Sequence, residues 1–457
     1  MMSSEVRTVG EQMDMLPLNA FHRKLLGLIG AGLFLDGFDL YLTAGVLGAL
    51  VKSGWSNLHL NADFVSLTFI GMLVGAWMAG VIGDRYGRRV TYQFNLALFG
   101  GASLLAVFAP NMSALIALRF FMGVGLGAEV VVGYATLTEF VPAASRGKMI
   151  GWLAVITNSS LIVSTFLGLW IIPSLGWRYM FGLVGIGSLV VWFLRKQMPE
   201  SPRWLEANGR HEEALRILAQ VRAPGTDSQA PTASGASQQR PKGSVHGGRT
   251  VSVWTVFQPP VLGRTLMGVL INVVIGFSLY GFINWLPTFM VTEGVSIVHS
   301  LTWLTVMGLG APAGAAIGLL LADRIGRRTL IVGASLWSAV FGVLFAMLGK
   351  DASGGALMIT GFLLFIGIYV ILAVAFALHV PELFATEYRM RGSGVCNTAG
   401  RIATAGVQYV VIAVFAAAGA PGVVGLLVGL LVLQAIVFAI WGVETAGQSL
   451  ESISSPV

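Results

Sequence analysis

The amino-acid sequence predicts an all-α membrane protein whose twelve transmembrane helices form two bundles of six. Three observations predict this fold class: an apolar composition, twelve apolar segments of membrane-spanning length, and a motif that recurs in each half. Apolar residues make up 55% of the 457 residues, and charged residues only 11%. A soluble protein of this length needs a more polar surface, so the bilayer is its expected solvent.

Each apolar segment has about the 20 residues that an α-helix needs to cross the hydrocarbon core. The first six spans are predicted near residues 25–50, 63–84, 90–109, 113–138, 148–172 and 178–198. The second six are predicted near residues 264–290, 301–322, 329–349, 356–380, 393–418 and 421–442. The chain therefore divides into an N-terminal bundle (1–198), a cytoplasmic loop (199–262) and a C-terminal bundle (263–457).

The loop between the bundles has two parts. Residues 203–222 mix apolar and charged residues and predict short amphipathic helices on the surface. Residues 223–249 are rich in Gly, Ser, Pro and Gln, a composition that is typical of a flexible linker.

The basic residues predict the orientation of the spans. If the N-terminus is cytoplasmic, nearly all of the 28 Lys and Arg residues lie on the cytoplasmic face, including every one from Arg195 to Arg264. The exceptions are three on the other face and two inside spans: Lys52, Arg178, Lys350, Arg119 and Arg401. Cytoplasmic loops carry such an excess, so both termini and the long loop are expected on the cytoplasmic side of the inner (plasma) membrane. The net charge of +7 is thus explained by the orientation of the spans, and no nucleic-acid partner is expected.

One motif recurs at a constant offset in the two halves. Small residues every fourth position precede a charged hexapeptide: Gly71, Gly75, Ala79 and Gly83 before Asp84–Arg89, and Gly310, Gly314, Gly318 and Ala322 before Asp323–Arg328. A small residue at each i+4 position makes a flat face against which another helix packs closely. The duplication predicts two similar bundles with a site between them near the membrane centre.

A second duplicated element ends spans four and ten, where Glu139 is followed by Arg146 and Glu382 by Arg391. Together with the first motif it predicts a cytoplasmic gate, formed by Asp84, Arg85, Arg88, Glu139, Arg146, Asp323, Arg324, Arg327, Glu382 and Arg391. These charges are expected to latch the cytoplasmic ends of the two bundles together in one conformation and to separate in another.

These motifs carry a resemblance to a known family. The loop from Asp84 to Arg89 resembles the signature of the major facilitator superfamily, and Arg119 with Gly123 and Gly125 is similar to its span-four motif. The segment 199–205 after span six resembles the sugar porter signature. The resemblance covers nearly the whole chain and implies a secondary transporter that works by alternating access.

Span one resembles three groups of proton-coupled carriers. Gly37-Phe38-Asp39 resembles the motif of sugar porters, in which the acid pairs with the span-four arginine. Asp36 to Asp39 resembles the opening of aromatic acid:proton symporters, and Asp39-Leu40-Tyr41 with Glu129 is similar to phosphate porters.

Span seven departs from two of these groups. Val274, Ile275 and Tyr280 stand where sugar porters carry amides, and Gly276 stands where phosphate porters carry an aspartate. The overall pattern is most similar to metabolite:proton and niacin-type carriers, near the organic anion transporters.

Four ionisable residues are the candidates for proton coupling: Asp39, Arg119, Asp36 and Glu129. Ionisable groups in hydrocarbon are costly and usually functional. Asp36 and Asp39 are three residues apart and share a helix face. The structural alternative is that the aspartates fix the helix register and that Glu129 binds a neighbouring helix.

Span eleven carries a polar stripe of Asn397, Arg401, Thr404 and Gln408, which is expected to face the central cavity. The guanidinium of Arg401 matches a carboxylate with two hydrogen bonds, and Gly400-Arg401-Ile402 resembles the span-eleven arginine of organic anion transporters. The other candidate substrate residues are Tyr280, Asn272 and Asn158, with Phe282 or Trp285 as ring-stacking partners. The alternative is that Arg401 neutralises a buried acid such as Asp36.

The sequence therefore predicts proton-coupled uptake of a small organic anion, an aromatic or other carboxylate metabolite. A sugar or polyol:proton symporter is the main alternative, followed by a phosphate porter, an exporter and a non-transporting sensor. The motifs of a serine hydrolase, a zinc protease or a Walker A NTPase are absent, so no enzyme is predicted. No cofactor and no metal site is expected, since the chain has one cysteine. The expected partners are the substrate, protons and the bilayer, and the chain is expected to be monomeric.

Overall fold

The computed structural model describes residues 8–222, 253–259, 261–348, 354–384 and 389–445. Within these ranges, eleven helices are long and apolar enough to cross a membrane. The last of them, Arg389–Trp441, contains two spans, because Gly419 interrupts it with non-helical backbone (φ 65, ψ −165) just before Pro421. The described chain therefore has the twelve spans that the sequence predicts, and the fold class is confirmed.

The first six spans are continuous α-helices: Ala20–Lys52, Leu58–Tyr86, Arg88–Val107, Met112–Phe140, Ala143–Ser174 and Arg178–Arg195. Spans one, two and four begin before the predicted apolar segments. Asn19, Asn57 and Asn111 explain these starts, because each side chain accepts a hydrogen bond from the backbone N–H three residues later. A cap of this kind satisfies a donor that the first helical turn leaves open.

The second six spans are less regular. Span seven runs through Val261–Gly276, a π-helical segment Phe277–Ile283 and Leu286–Thr292. Span eight comprises Ile297–Gly308 and Gly310–Ile325, and span nine is Arg327–Leu348. Span ten runs through Gly354–Ile371, a second π-helical segment Leu372–His379 and Val380–Glu382. Such π turns are rare and often occur at functional sites.

Each small-residue stripe packs closely against another helix, as predicted, and the structure identifies these helices as spans four and ten. A Cβ atom on Gly75 would overlap the carbonyl oxygen of Val124, and one on Gly314 would overlap the carbonyl oxygen of Ile366. The backbones of these helix pairs approach so closely that only glycine fits at these two positions. The pairs two/four and eight/ten therefore occupy equivalent places in the two bundles.

The side of the membrane on which the long loop lies, called the loop side here, carries three short helices that pack on the N-terminal bundle. They are Val9–Asp14, Pro202–Ala207 and His211–Arg222, and the last two lie within the segment 203–222 and its edge, where the sequence predicts short amphipathic helices. Asp14 joins this layer to span five, because it accepts hydrogen bonds from Arg146 (2.9 Å) and Arg203 (2.7 Å). Residues 225–248 of the expected linker lie outside the described residues.

Hydrogen bonds between described residues of the two bundles lie in the membrane centre and towards the opposite side, called the far side. Span one meets spans seven and ten there, and span two meets span eleven. The bonds are Asn284 to the Leu40 carbonyl (3.2 Å), Tyr41 with Tyr369 (2.7 Å), Tyr409 to Asp63 (2.7 Å), Ser66 to the Ala405 carbonyl (2.5 Å) and Arg401 to the Met72 carbonyl (2.9 Å). The bundles are therefore joined on the far side in this conformation.

Candidate functional site

Spans one and four bring Asp39 and Arg119 together in a fully buried ion pair. Arg119 also donates to the hydroxyls of Thr68 (3.0 Å) and Thr43 (2.9 Å) and to the Asp39 carbonyl (3.1 Å). A buried ion pair is stable only when such bonds satisfy its remaining donors. The Oδ1 atom of Asp39 has no hydrogen-bond partner, so the pair keeps one open oxygen at which a proton can bind.

A second buried ion pair lies nearer the loop side, between Glu129 of span four and Arg195, the last residue of span six. Their side chains are 2.5 Å apart and at most 2% exposed. Arg195 also donates to the carbonyls of Leu28 (3.0 Å) and Ile29 (3.1 Å) on span one, and Glu129 accepts from Asn95 on span three (2.9 Å). This pair holds four spans of the N-terminal bundle together.

Grouping Arg195 with the loop residues was wrong. A basic residue at the end of an apolar segment normally marks the membrane boundary and points to water. Here span six packs on spans three and one, which turns the Arg195 side chain inward, where it is 1% exposed. The acid Glu129 was the available signal, because a buried carboxylate needs a cation.

Asp36 lies between the two ion pairs. It is 3% exposed, and neither of its carboxyl oxygens has a hydrogen-bond partner. The charged groups that act on it are Glu129, Arg195 and Asp39. Three carboxyl groups thus share two guanidinium groups in the interior of the N-terminal bundle.

Two members of the polar stripe of span eleven, Thr404 and Gln408, pack against span seven, which corrects for them the expectation that the stripe faces the central cavity. Gln408 accepts a hydrogen bond from the Trp285 indole (2.7 Å) and donates to the Thr404 carbonyl (2.8 Å). Thr404 lies against Gly276, where a Cβ atom would overlap its hydroxyl. Because span seven offers glycine at this contact, the two helices approach until Thr404 and Gln408 are buried.

Arg401 lies on the same stripe but faces span two, at the seam between the bundles. Its Nη1 atom donates to the Met72 carbonyl (2.9 Å), and none of the ion pairs between described residues involves it. It therefore does not neutralise Asp36 in this structure. Arg401, Ser66 and Phe69 line a groove of about 300 Å³ along this seam, which opens to the outer surface between the exposed side chains of Ile70, Ile402 and Tyr409.

The other candidate substrate residues occupy different surroundings. Tyr280 lies in the π segment of span seven and packs edge-on against Phe69 of span two, with ring centroids 4.6 Å apart. Asn272 and Asn397 donate to backbone carbonyls of their own helices (2.8 and 3.3 Å). Asn158 is partly exposed on span five, in the other bundle. The structure thus brings Arg401 and Tyr280 to the seam, and the aromatic partner Phe69 was missed by the sequence motifs.

The gate residues of the N-terminal bundle pair with one another. Arg88 binds Glu139 at the end of span four (2.9 Å) and Asp84 (3.1 Å). Glu200 accepts from the backbone N–H groups of Arg88 (2.8 Å) and Arg89 (3.1 Å). Gly87 permits this cap, because its φ of 94° and its missing Cβ leave room for the Glu200 carboxylate.

The C-terminal bundle repeats this arrangement. Arg327 binds Glu382 at the end of span ten (3.2 Å), and Glu444 accepts from the backbone N–H groups of Arg327 (2.9 Å) and Arg328 (3.1 Å). Gly326 has the matching φ of 93°. The Asp323 side chain lies outside the described residues.

The predicted latch between bundles is not what these residues form in this conformation. Each described ion pair of the motif joins helices of one bundle, because the turn after the second span and the end of the fourth lie next to each other there. Arg146 pairs with Asp14 instead, Arg85 and Arg324 are exposed, and Arg391 is partly buried. Glu200 and Glu444 were missed, although Glu200 stands inside the recognised segment 199–205.

Twelve helices in two pseudo-symmetric bundles, with charged residues inside the membrane and a seam between the bundles, define a membrane transporter of the major facilitator fold. The chain belongs to the sugar (and other) transporter family, whose model matches residues 28–456. It is 37% identical over 451 residues to the inner membrane metabolite transport protein YdjE of Escherichia coli, with 98% of each chain covered.

Two further comparisons agree with this assignment. The chain is 30% identical over 454 residues to the niacin transporter NiaP of Acinetobacter baylyi, covering 97% of this chain and 98% of that one. Its fold is similar to a partially occluded inward open structure of the xylose transporter XylE from E. coli, with a TM-score of 0.75 at 17% identity. That alignment covers 94% of this chain and 100% of the other. The family and these neighbours are transporters and not enzymes.

Proposed function

We propose that this transporter carries a small organic carboxylate into the cell together with at least one proton. The observation that supports this most directly is Arg401, a cation at the seam of the bundles that makes no ion pair with a described carboxylate. A cation inside the membrane is costly without a counter-ion. A substrate carboxylate would supply that counter-ion and would fit the two parallel N–H donors of a guanidinium.

An aromatic substrate is favoured among carboxylates. Phe69 and Tyr280 lie at the seam beside Arg401 and offer ring surfaces from both bundles. The relative named a niacin transporter supports the same class, since niacin is a pyridine ring that carries one carboxylate.

Asp39 and Arg119 are the proposed coupling pair. A proton on the open Oδ1 atom of Asp39 would remove the negative charge that holds Arg119 to span one. The pair would then weaken, and the helices around it could change their packing. Protonation would thus bias the protein between its two open states.

Alternating access follows from where the bundles meet. With the long loop in the cytoplasm, as the basic residues favour, the far side is extracellular and is the closed side here. The N-terminal bundle (1–198) and the C-terminal bundle (263–457) would then rock about the central seam, joined by the loop (199–262).

Reconstituted protein in proteoliposomes tests the substrate class. Benzoate should inhibit the counterflow of labelled nicotinate. Nicotinamide, the neutral analogue of nearly the same shape, should inhibit it about tenfold less strongly. An inward-directed pH gradient, acid outside, should drive accumulation. If the protein takes up xylose and carboxylates do not inhibit that uptake, the sugar alternative would replace this proposal. Phosphate serves as the inorganic anion control.

A further inference from the structure

Asp36 is a buried acid that does not belong to the proposed coupling pair of Asp39 and Arg119. Its two oxygens lack partners, while the two neighbouring acids, Asp39 and Glu129, each hold a guanidinium. With all groups ionised, the three acids and two arginines would leave one unbalanced negative charge in the membrane interior. Such a charge is costly in a low-dielectric interior, and one bound proton removes it.

Arg195 is placed to serve either of two acids. Its guanidinium lies on Gly32, where a Cβ atom would overlap both Arg195 and Glu129. Gly32 is four residues before Asp36, so the two positions are one helical turn apart on the same face of span one. A movement of about 5 Å, the pitch of one turn, would carry the guanidinium from Glu129 to Asp36.

Polar groups from every neighbouring span face this region. Span one contributes Asp39, span four Glu129, and span six Arg195. Span three contributes Asn95 to Glu129 and the Tyr92 ring beneath Arg195 (5.9 Å). Span five presents the Ser160 hydroxyl and the Thr157 carbonyl to Gly37, next to Asp36.

We propose that Asp36, Glu129 and Arg195 form a second proton site, with Asp36 as the proton-binding group and Arg195 as its switching counter-charge. The inference rests on the proton-coupled transport proposed above. Asp36 binds a proton while Arg195 is paired with Glu129, and it releases the proton to loop-side water when Arg195 turns to it. One O–H bond forms on uptake and the same bond breaks on release, and no other bond changes.

The two partners of Asp36 should shift the pH dependence of uptake in opposite directions. In Glu129→Gln, Arg195 has only Asp36 to bind, so the pH of half-maximal uptake should fall by about 1 unit. In Arg195→Gln, the two acids face each other without a cation, so the same pH should rise by about 1 unit. Asp36→Asn should abolish both shifts, so that Asp36→Asn/Glu129→Gln matches Asp36→Asn alone.

Uptake and counterflow of nicotinate are measured between pH 5 and 9 on purified variants. Arg195→Lys keeps the charge and should restore the wild-type midpoint, and Lys196→Gln removes the adjacent exposed cation and should leave it unchanged. Shifts in the same direction, or none, would overturn the second site and leave a purely structural pair. If Arg195→Gln does not reach the membrane, the Glu129→Gln shift and its loss in the double variant decide the question.

The outcome is separable from that of the coupling pair. If Asp39→Asn still accumulates substrate, the coupling role of Asp39 fails, while opposite pH shifts would still identify Asp36. If Asp39→Asn is uncoupled and the shifts are absent, only the second site fails.

Discussion

The two bundles share a frame at the loop side and differ deep in the membrane. In both, an arginine binds a glutamate at the end of the fourth span of its half, and a second glutamate caps the same glycine turn. The frame is repeated because each bundle must connect its own second and third spans through the same kind of tight turn. The repeated motif therefore serves the architecture of each bundle in this conformation.

The interiors have separate chemistry. The N-terminal bundle buries the pairs Asp39–Arg119 and Glu129–Arg195. Between described residues of the C-terminal bundle, the deep side-chain bonds join neutral groups, as in Gln434 with Ser335 (3.1 Å). Spans seven and ten also contain π segments, whereas spans one and four are regular α-helices.

The two halves of a duplicated fold can therefore take different roles. Paired charges in a rigid helical bundle suit the binding and release of protons. A lone cation beside irregular helix turns suits a ligand that brings its own charge. On this view the N-terminal bundle supplies the proton-coupling groups and the C-terminal bundle supplies the cation that binds the substrate, and four changes test that division.

Asp39→Asn should have the largest effect. A neutral amide cannot take up and release a proton, so with no membrane potential across the vesicles the accumulation ratio of substrate should fall to about 1, its value without coupling. Counterflow exchange should persist, because Arg401, the cation proposed to bind the substrate, lies in the other bundle. Glu293→Gln, an exposed acid on the far side, is the matched control and should accumulate substrate normally. Accumulation by Asp39→Asn would remove the N-terminal bundle from coupling.

Arg401→Ala should have the second-largest effect. It should weaken substrate binding while leaving the proposed coupling pair intact. The loss of a bidentate charged contact is expected to weaken carboxylate binding about 100-fold, and Arg401→Lys about tenfold. Binding of nicotinamide should change far less. Calorimetric titration of the purified protein measures both ligands, and normal nicotinate binding by Arg401→Ala would contradict the assignment.

Gly75→Ala and Gly314→Ala should have moderate and similar effects, because they test the close helix packing that the two bundles share. Each added methyl group overlaps a backbone carbonyl, and such overpacking costs about 1–3 kcal/mol. Thermal unfolding in detergent measures the loss. Gly80→Ala and Gly333→Ala are the controls, because a Cβ atom there meets nothing within 4 Å. Strongly unequal losses of stability would show that the two helix pairs are less equivalent in energy than they are in geometry.

Removal of residues 225–248 should have the smallest effect. These residues combine low-complexity composition with the absence of an apolar face, so uptake should stay within about twofold of wild type. If the bundles move as two bodies, their connection needs length rather than structure. A deletion variant that reaches the membrane and does not transport would assign this segment a role in coordinating the bundles.

The spans, the duplication, the pairing of Asp39 with Arg119 and the presence of Arg401 inside a span could all be predicted from the sequence. Apolar length and small-residue periodicity are local properties of the chain, and a charge inside an apolar segment is visible without any knowledge of packing. The motifs then linked the span-one acid to the span-four arginine.

The partners of the remaining charges could not be read from the sequence, because they depend on how the helices pack. The tertiary structure turned Arg195 into the membrane, left Asp36 without a hydrogen-bond partner, kept the gate charges within their own bundles and buried Thr404 and Gln408 against span seven. Each of these outcomes depends on which faces of distant helices meet and on how closely glycine lets them approach. Hydropathy describes how a helix sits in lipid, whereas the pairing of buried charges depends on the neighbours that the fold places beside them.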